Sequence, residues 1–117
     1  MYIISGTSVK LTRGDSFYCQ IGITDASGDP YVMQTGDTVR FYLKRNVMTA
    51  AQAEYADKRP LITKIIPSDT LILHLDPEDT KSLSFGEYVY DLELTYANGD
   101  VDTFINNAPF TLVAEVG

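Results

Sequence analysis

Apolar and polar residues alternate along much of the chain, and this period of two is the dominant pattern in the sequence. Successive side chains of a β-strand point to opposite faces of its sheet, so an alternating segment offers one face to a core and the other to water or a partner. The clearest alternating segments have their apolar positions at Phe17, Cys19, Ile21 and Ile23; Val39, Phe41 and Leu43; Leu71, Leu73 and Leu75; Tyr88, Tyr90, Leu92 and Leu94; and Phe110, Leu112 and Ala114. The pattern predicts a chain built from short strands.

Turn-forming residues separate these segments. Residues 25–30 and 34–37 combine Asp and Gly, with Ser and Pro in the first cluster, which favours tight turns. Asn98-Gly99 lies between two strand-like runs and is a strong hairpin signal, so we expect strands to end near Tyr96 and to begin near Val101. Residues 106–109 predict a break before a separate last strand. Many short strands joined by such turns are typical of a sandwich or a barrel.

Two segments favour helix. Asp76 to Leu83 predicts one helical turn near 77–83, with Asp76 as the cap and Pro77 at the first position. Residues 49–56 are rich in helix formers but are marginal in isolation. They lie in a long connection from Asn46 to Pro60, and such connections are usually functional or disordered. Val47, Met48 and Tyr55 there are candidates for docking on a partner, or for folding back over an open end of the sandwich.

The composition is that of ordinary globular material and predicts one domain over residues 1–117. The chain has 117 residues, of which 44% are hydrophobic and 21% are charged. No apolar run of about 20 residues predicts a membrane span, and no basic segment followed by an apolar run predicts a secretory signal. The net charge of −7 argues against nucleic acid and against an anionic membrane surface as partners.

The sequence lacks a recognisable catalytic or cofactor motif, and we expect neither enzymatic activity nor a cofactor. Cys19 is the sole cysteine and follows an apolar phase, which favours a buried core residue over a catalytic thiol. His74 is the sole histidine and lies on an outward phase, so we interpret it as a solvated strand residue and not as a catalytic base. A serine or cysteine triad would require that base near its nucleophile.

Two short motifs are better explained by turns than by binding. Asp25, Ser27 and Asp29 have the oxygen spacing that begins a calcium loop, but the later glycine and bidentate glutamate are missing. No metal site is therefore predicted. Arg13-Gly14-Asp15 spells an adhesive tripeptide, but it directly precedes an alternating segment, where a tight turn into a strand explains it.

The tyrosines offer the candidate contact surface. Tyr18 and Tyr42 fall on the outward phase of their strands and would form an exposed aromatic strip flanked by Gln20, Arg40 and Lys44. Such strips mark protein or carbohydrate contacts, whereas cross-strand pairing on a solvated face is the alternative. The candidate partner-contact residues are Tyr18, Arg40, Tyr42, Met48 and Tyr55.

One local pattern is similar to the region before strand F of immunoglobulin-type sandwiches. There a one-turn helix leads to a tyrosine whose hydroxyl bonds back to upstream backbone. Asp79, Leu83, Gly86, Tyr88 and Tyr90 match this region, with Tyr88 as the corner tyrosine. The absence of tryptophan and of a disulfide excludes an antibody-type domain.

Motifs in order along the chain resemble small immunoglobulin-like domains of tailed-phage virion proteins, such as the N-terminal domain of the phage baseplate upper protein. They lie at residues 11–17, 23–28, 36–41, 79–80 and 86–92. The resemblance implies an all-β, antiparallel, Greek-key immunoglobulin-like sandwich of about seven to nine strands.

The same resemblance implies a structural component of a phage or prophage tail or baseplate, made in the bacterial cytoplasm and located in the virion. Its partners would be other virion proteins or further copies of itself. The alternative function is a bacterial surface or carbohydrate-binding module, in which sugar rings stack on the outward tyrosines and acidic side chains bond their hydroxyls.

Overall fold

The computed structural model describes residues 2–5, 7–46 and 60–114. The strands are β1 (Tyr2–Ser5), β2 (Ser8–Thr12), β3 (Phe17–Gln20), β4 (Thr38–Arg45), β5 (Ile62–Ile66), β6 (Ile72–Leu75), β7 (Gly86–Thr95) and β8 (Val101–Val113). One helix, α1 (Pro77–Lys81), completes the regular structure of this part of the chain. The all-β prediction is confirmed, and the described residues hold eight strands.

The strands form two sheets of unequal size. The larger is a curled, mixed sheet with the order β1-β2-β8-β7-β4-β5, and the smaller pairs β3 with β6. The prediction of purely antiparallel pairing is wrong at one position, because β2 runs parallel to β8, with Val9 opposite Phe110. Parallel neighbours need a crossover connection in place of a hairpin, and β3 to β7 lie between β2 and β8 along the chain.

The core lies between the inward faces of the two sheets. Phe17 of β3 packs edge-on against Phe110 of β8, with ring centroids 6.2 Å apart, and Phe110 also contacts Phe41 of β4 at 6.2 Å. The alternation predicted this face correctly, because the apolar positions of β4 and β7 are buried throughout. Burial continues past the end of β3 at Ile21 and Ile23.

The sequence predicted a break at residues 106–109, and this prediction is wrong. β8 runs on as one strand through Asn107, which takes a positive φ of 52°. The register against β7 shifts at two places, between Tyr90 and Leu92 and between Leu92 and Glu93. Bulges of this kind absorb extra residues without ending a strand, so the turn-like residues bend β8 and do not interrupt it.

The helical turn and the corner tyrosine are present as predicted. The backbone N–H of Asp76 donates to Oδ2 of Asp79 at 2.7 Å at the start of α1. Lys64 of β5 forms an ion pair with the same carboxylate at 2.9 Å, which ties α1 to the edge of the large sheet. After α1, the hydroxyl of Tyr88 donates to the carbonyl of Ser84 at 2.7 Å. No helix in the described ranges has the length and apolar character needed to cross a membrane.

The predicted turns are confirmed as well. The Asp25 carboxylate accepts hydrogen bonds from the backbone N–H groups of Ser27 at 2.9 Å and Asp29 at 3.1 Å. The N–H of Asp15 bonds to the carbonyl of Thr12 at 3.1 Å and closes the turn into β3. At the tip of the β7–β8 hairpin, the N–H of Asp100 bonds to the Asn98 side chain at 2.9 Å.

Candidate interaction edge

The two tyrosines of the predicted strip lie in different sheets. Tyr18 belongs to β3 of the small sheet, and Tyr42 belongs to β4 of the large sheet. Both point away from the core, as their phase predicts, but the outer faces of the two sheets lie on opposite sides of that core. The prediction of a single aromatic strip is therefore wrong.

Tyr42 and Arg40 lie on a polar sheet face with cross-strand partners. Tyr42 is half-buried opposite Asp91 and Thr63. Burial raises the pKa of Tyr42, and the nearby Glu93 carboxylate raises it further. The Arg40 guanidinium donates to the Thr95 hydroxyl at 3.4 Å. This face fits the alternative of cross-strand pairing.

The other two candidate contact residues, Met48 and Tyr55, lie outside the described residues. The same is true of Val47 and of the predicted helical segment at 49–56.

Tyr18 lies on an exposed patch formed by the outer face of β3 and β6. Its side chain is 54% exposed, and its ring is 4.2 Å from that of His74, the residue opposite it in the register. Nε2 of His74 lies 2.6 Å from Oδ1 of Asp76. Ile72, two residues from His74, is also exposed. We name this patch, made by Tyr18, Ile72 and His74, the outer patch.

His74 is less solvated than its outward phase predicts. It is half-buried beneath the Tyr18 ring, and its Nδ1 atom is buried with no hydrogen-bond partner among the described residues. Contact with a neighbouring aromatic side chain removes water from an outward position, and the alternation pattern does not predict that contact.

The backbone of β3 is paired on one side. The N–H of Ile21 donates to the carbonyl of Leu71 at 2.8 Å, so Ile21 faces the β6 side of the small sheet. Backbone groups of alternate residues point the same way in an antiparallel pair. The groups of Cys19 therefore face β6, whereas those of Tyr18 and Gln20 face the opposite side. No strand within the described ranges pairs with that side, which we call the free edge of β3.

An apolar cleft of about 170 Å³ opens beside this edge. β6 packs near β5, so the small sheet covers the large sheet from the β5 side. The part of the large sheet near β2 lies beyond β3 and is not covered by the small sheet. Cys19, Ile21, Val9, Tyr90, Ile105 and Phe110 line the cleft. The free edge therefore lies at the mouth of an apolar space that leads into the core.

One polar group of the cleft wall, the Tyr90 hydroxyl, is held by a residue far away in the sequence. The Tyr90 hydroxyl donates to the carbonyl of Thr7 at 2.5 Å, and burial raises the pKa of Tyr90, with a further contribution from Cys19. Cys19 is half-buried, in contrast to the full burial that its phase predicted, because its side chain faces the open cleft. Burial raises the pKa of its thiol and so favours the protonated form over the nucleophilic thiolate.

The sequence does not single out this edge. Residues 16–24 carry no charged side chain, but neither do residues 103–113 of β8, which is paired on both sides. Identifying an unpaired side requires the strand order. Within the described ranges, no group of three or more His, Cys, Asp or Glu residues has the arrangement of a metal site.

Comparison with known proteins identifies no relative, since no family model, no curated protein sequence and no solved structure matches this chain.

Proposed function

We propose that the chain is a non-enzymatic structural module with an immunoglobulin-like Greek-key sandwich, acting through protein–protein contacts in the tail or baseplate of a phage or prophage. The observation that carries the contact role is the free edge of β3, which lies beside an apolar cleft and next to the exposed Tyr18. The virion setting rests on the sequence resemblance.

The strand order supports the immunoglobulin-like part of the proposal. In such sandwiches strands C, F and G share one sheet, often extended by C′, while B and E lie in the other. β4, β7, β8 and β5 correspond to C, F, G and C′, and β3 and β6 correspond to B and E. The hydrogen bond from Tyr88 to Ser84, just after α1, adds the corner that precedes strand F.

The free edge supports a role in assembly because unpaired strand edges are ready templates for pairing with another chain. β3 has four residues, so one such contact is short and individually weak. A symmetric assembly presents many copies of each contact, and linked contacts hold far more tightly than single ones. A short edge is therefore sufficient for a module that is repeated around a tail or baseplate.

The virion role is tested by analysing the proteins of purified phage particles produced by the phage or prophage whose genome encodes this chain. We expect mass spectrometry to find the chain at a fixed ratio to a tail protein after density-gradient purification. We also expect neighbouring genes to encode tail, head or lysis proteins. Absence from intact particles, with no such neighbours, would contradict the virion role.

A carbohydrate-binding module is the second candidate, and exposed Tyr18 favours it. Sugar rings stack on flat aromatic faces, and the Asp76 carboxylate lies close to the outer patch, 2.6 Å from His74. A glycan array would separate the two functions: binding that Tyr18→Ala removes and Tyr42→Ala preserves would support this alternative. No signal above background on the array would exclude the glycans tested.

A further inference from the structure

The free edge of β3 separates two different environments, one on each face of its sheet. On the inner face lies the cleft, at the level of Cys19 and Ile21, and on the outer face lies the outer patch. A strand that pairs with this edge would place successive side chains alternately into these two environments. Side chains on one face of the added strand therefore enter the cleft, and those on the other lie beside Tyr18.

The cleft has the size of a single apolar side chain. Its volume is about 170 Å³, and a cavity of about 150 Å³ lined by apolar side chains holds a benzene molecule. One leucine or phenylalanine of an added strand therefore fills it. Entry of that side chain would complete the burial of Cys19, which the described residues leave half-exposed.

Charge decides which kind of strand fits. Residues 16–24 are uncharged, but Asp15 and Asp25 stand at their two ends, and Asp29 is exposed beyond the turn. A second copy would present the same acidic flanks, and its net charge of −7 would repel the −7 of the first. A segment of opposite charge meets attraction in place of this repulsion.

We propose that the free edge of β3 binds an extended segment of a different protein, in which apolar and polar residues alternate and Lys or Arg stands at both ends. This inference rests on the proposed role in protein–protein contact and adds the chemistry of the partner. Backbone pairing with Tyr18 and Gln20 gives affinity, an apolar side chain fills the cleft, and the basic ends meet the flanking aspartates.

The first experiment measures binding of synthetic peptides to the full chain by fluorescence anisotropy. The probe alternates leucine and threonine between a lysine at each end, and its matched control carries glutamate in place of both lysines. We expect the lysine-ended peptide to bind about tenfold more tightly at low salt, with the difference shrinking as salt is added. Replacing its leucines by alanine should weaken binding, because the cleft is then left unfilled.

The second experiment tests the edge itself. Gln20→Pro removes an N–H that points to the free side of β3, which a strand edge tolerates. Val32→Pro is the control for introducing a proline, because Val32 is exposed in the loop before β4 and belongs to neither the cleft nor the outer patch. We expect Gln20→Pro to abolish peptide binding and Val32→Pro to preserve it. N-methylation of alternate peptide amides gives a readout that does not depend on how either variant folds. Methyl groups on the amides that face β3 should block binding, whereas methyl groups on the other amides should not.

Three results would overturn the inference. The first is equal affinity for the lysine-ended and glutamate-ended peptides. The second is unchanged peptide binding by a folded Gln20→Pro protein. The third is self-association of the wild type, seen by sedimentation, that Gln20→Pro removes. The last would assign the edge to a second copy. Incorporation into particles distinguishes this inference from the virion role. If wild type and Gln20→Pro are incorporated equally, the role of the free edge is contradicted and the virion role is not. If the chain binds the peptide but is absent from particles, the virion role is contradicted and the role of the free edge is not.

Discussion

The carboxylate of Asp37 accepts a hydrogen bond from the backbone N–H of Ala97 at 3.1 Å, across 60 residues of sequence. Its other oxygen accepts from the Tyr31 hydroxyl at 2.6 Å and from the N–H of Gln34 at 2.9 Å. Asp37 is itself buried. One side chain therefore fastens the loop before β4 to the tip of the β7–β8 hairpin.

Asp37→Ala should destabilise the fold, because it leaves three donors without their acceptor. Gln34 and Ala97 are exposed and water can reach their N–H groups, so the cost is that of the bonds lost, about 1 kcal/mol each. We expect a lower midpoint of urea unfolding, together with faster amide exchange at Gln34 and Ala97. Asp69→Ala, in an exposed turn, is the control and should leave the midpoint unchanged. A stable Asp37→Ala protein with slow exchange at Ala97 would show that the carboxylate is dispensable.

The pair formed by Tyr31 and Asp37 should make stability fall at both extremes of pH. The hydrogen bond from Tyr31, and then that from Gln34, lowers the pKa of Asp37 from 3.8. Its contribution is therefore present above about pH 4 and is lost as the pH falls through the lower, folded-state value. The same hydrogen bond raises the pKa of Tyr31 from 10.0 to about 12, so its contribution is present below pH 10 and is lost as the pH rises toward 12.

Thermal unfolding across pH would reveal both arms of this profile. Tyr31→Phe should flatten the alkaline arm, and Asp37→Asn should reduce the acid arm. If Tyr31→Phe loses stability between pH 10 and 12 as steeply as wild type does, then another group causes the alkaline loss.

Gly36 is constrained by both backbone and space. Its φ is +92°, and a Cβ built on it would lie 2.9 Å from the Cβ of Ala97. Gly28 has a similar φ of +84° but has open space around it. Gly28→Ala should therefore cost about 1 kcal/mol from backbone strain, and Gly36→Ala should cost clearly more, because the hairpin must also move. Equal losses in urea unfolding would mean that the hairpin yields to the added methyl group.

Alternation predicted which residues of β4, β6 and β7 form the core, because it depends on the geometry of a single strand. It could not predict that Tyr18 and Tyr42 belong to different sheets, since strand order is set by contacts between distant segments. The break expected at residues 106–109 failed for a related reason. The Asp91 side chain holds Asn107 in its bulge, and turn propensity depends on neighbouring residues in the sequence, so it cannot predict a contact with another strand. The free edge of β3 could not be predicted for the same reason, because the sequence of a strand does not show which of its sides is paired.

The hydroxyl of Tyr88 fixes the entry into β7 by its hydrogen bond to Ser84. Tyr88→Phe keeps the ring in the core and removes that bond, so we expect a loss of about 1 kcal/mol in the free energy of unfolding. Tyr18→Phe is the matched control, since Tyr18 is exposed on the outer patch, and it should change stability little. A neutral Tyr88→Phe substitution would indicate that water satisfies Ser84 equally well.

The bulge of β8 depends on Asp91 of the neighbouring strand. Oδ1 of Asp91 accepts from the N–H of Asn107 at 2.8 Å, and Oδ2 pairs with the Lys44 ammonium at 2.8 Å. Lys44 also donates to the Asn107 side chain at 2.9 Å, which closes a ring of three residues. The Asp91 side chain is 16% exposed and the Lys44 side chain 27%, so their ion pair is partly shielded from solvent, whereas Asn107 is exposed.

Asp91→Ala should therefore cost about 1–2 kcal/mol in unfolding free energy and speed amide exchange at Asn107 more than elsewhere in β8. Asp102→Ala, at an exposed position of the same strand, controls for the loss of one negative charge. The double substitution with Lys44→Ala should cost less than the sum of the single changes, because either one alone breaks the ring. Additive losses would show that the two contacts of Asp91 act independently, and the bulge would then be held by the N–H bond alone.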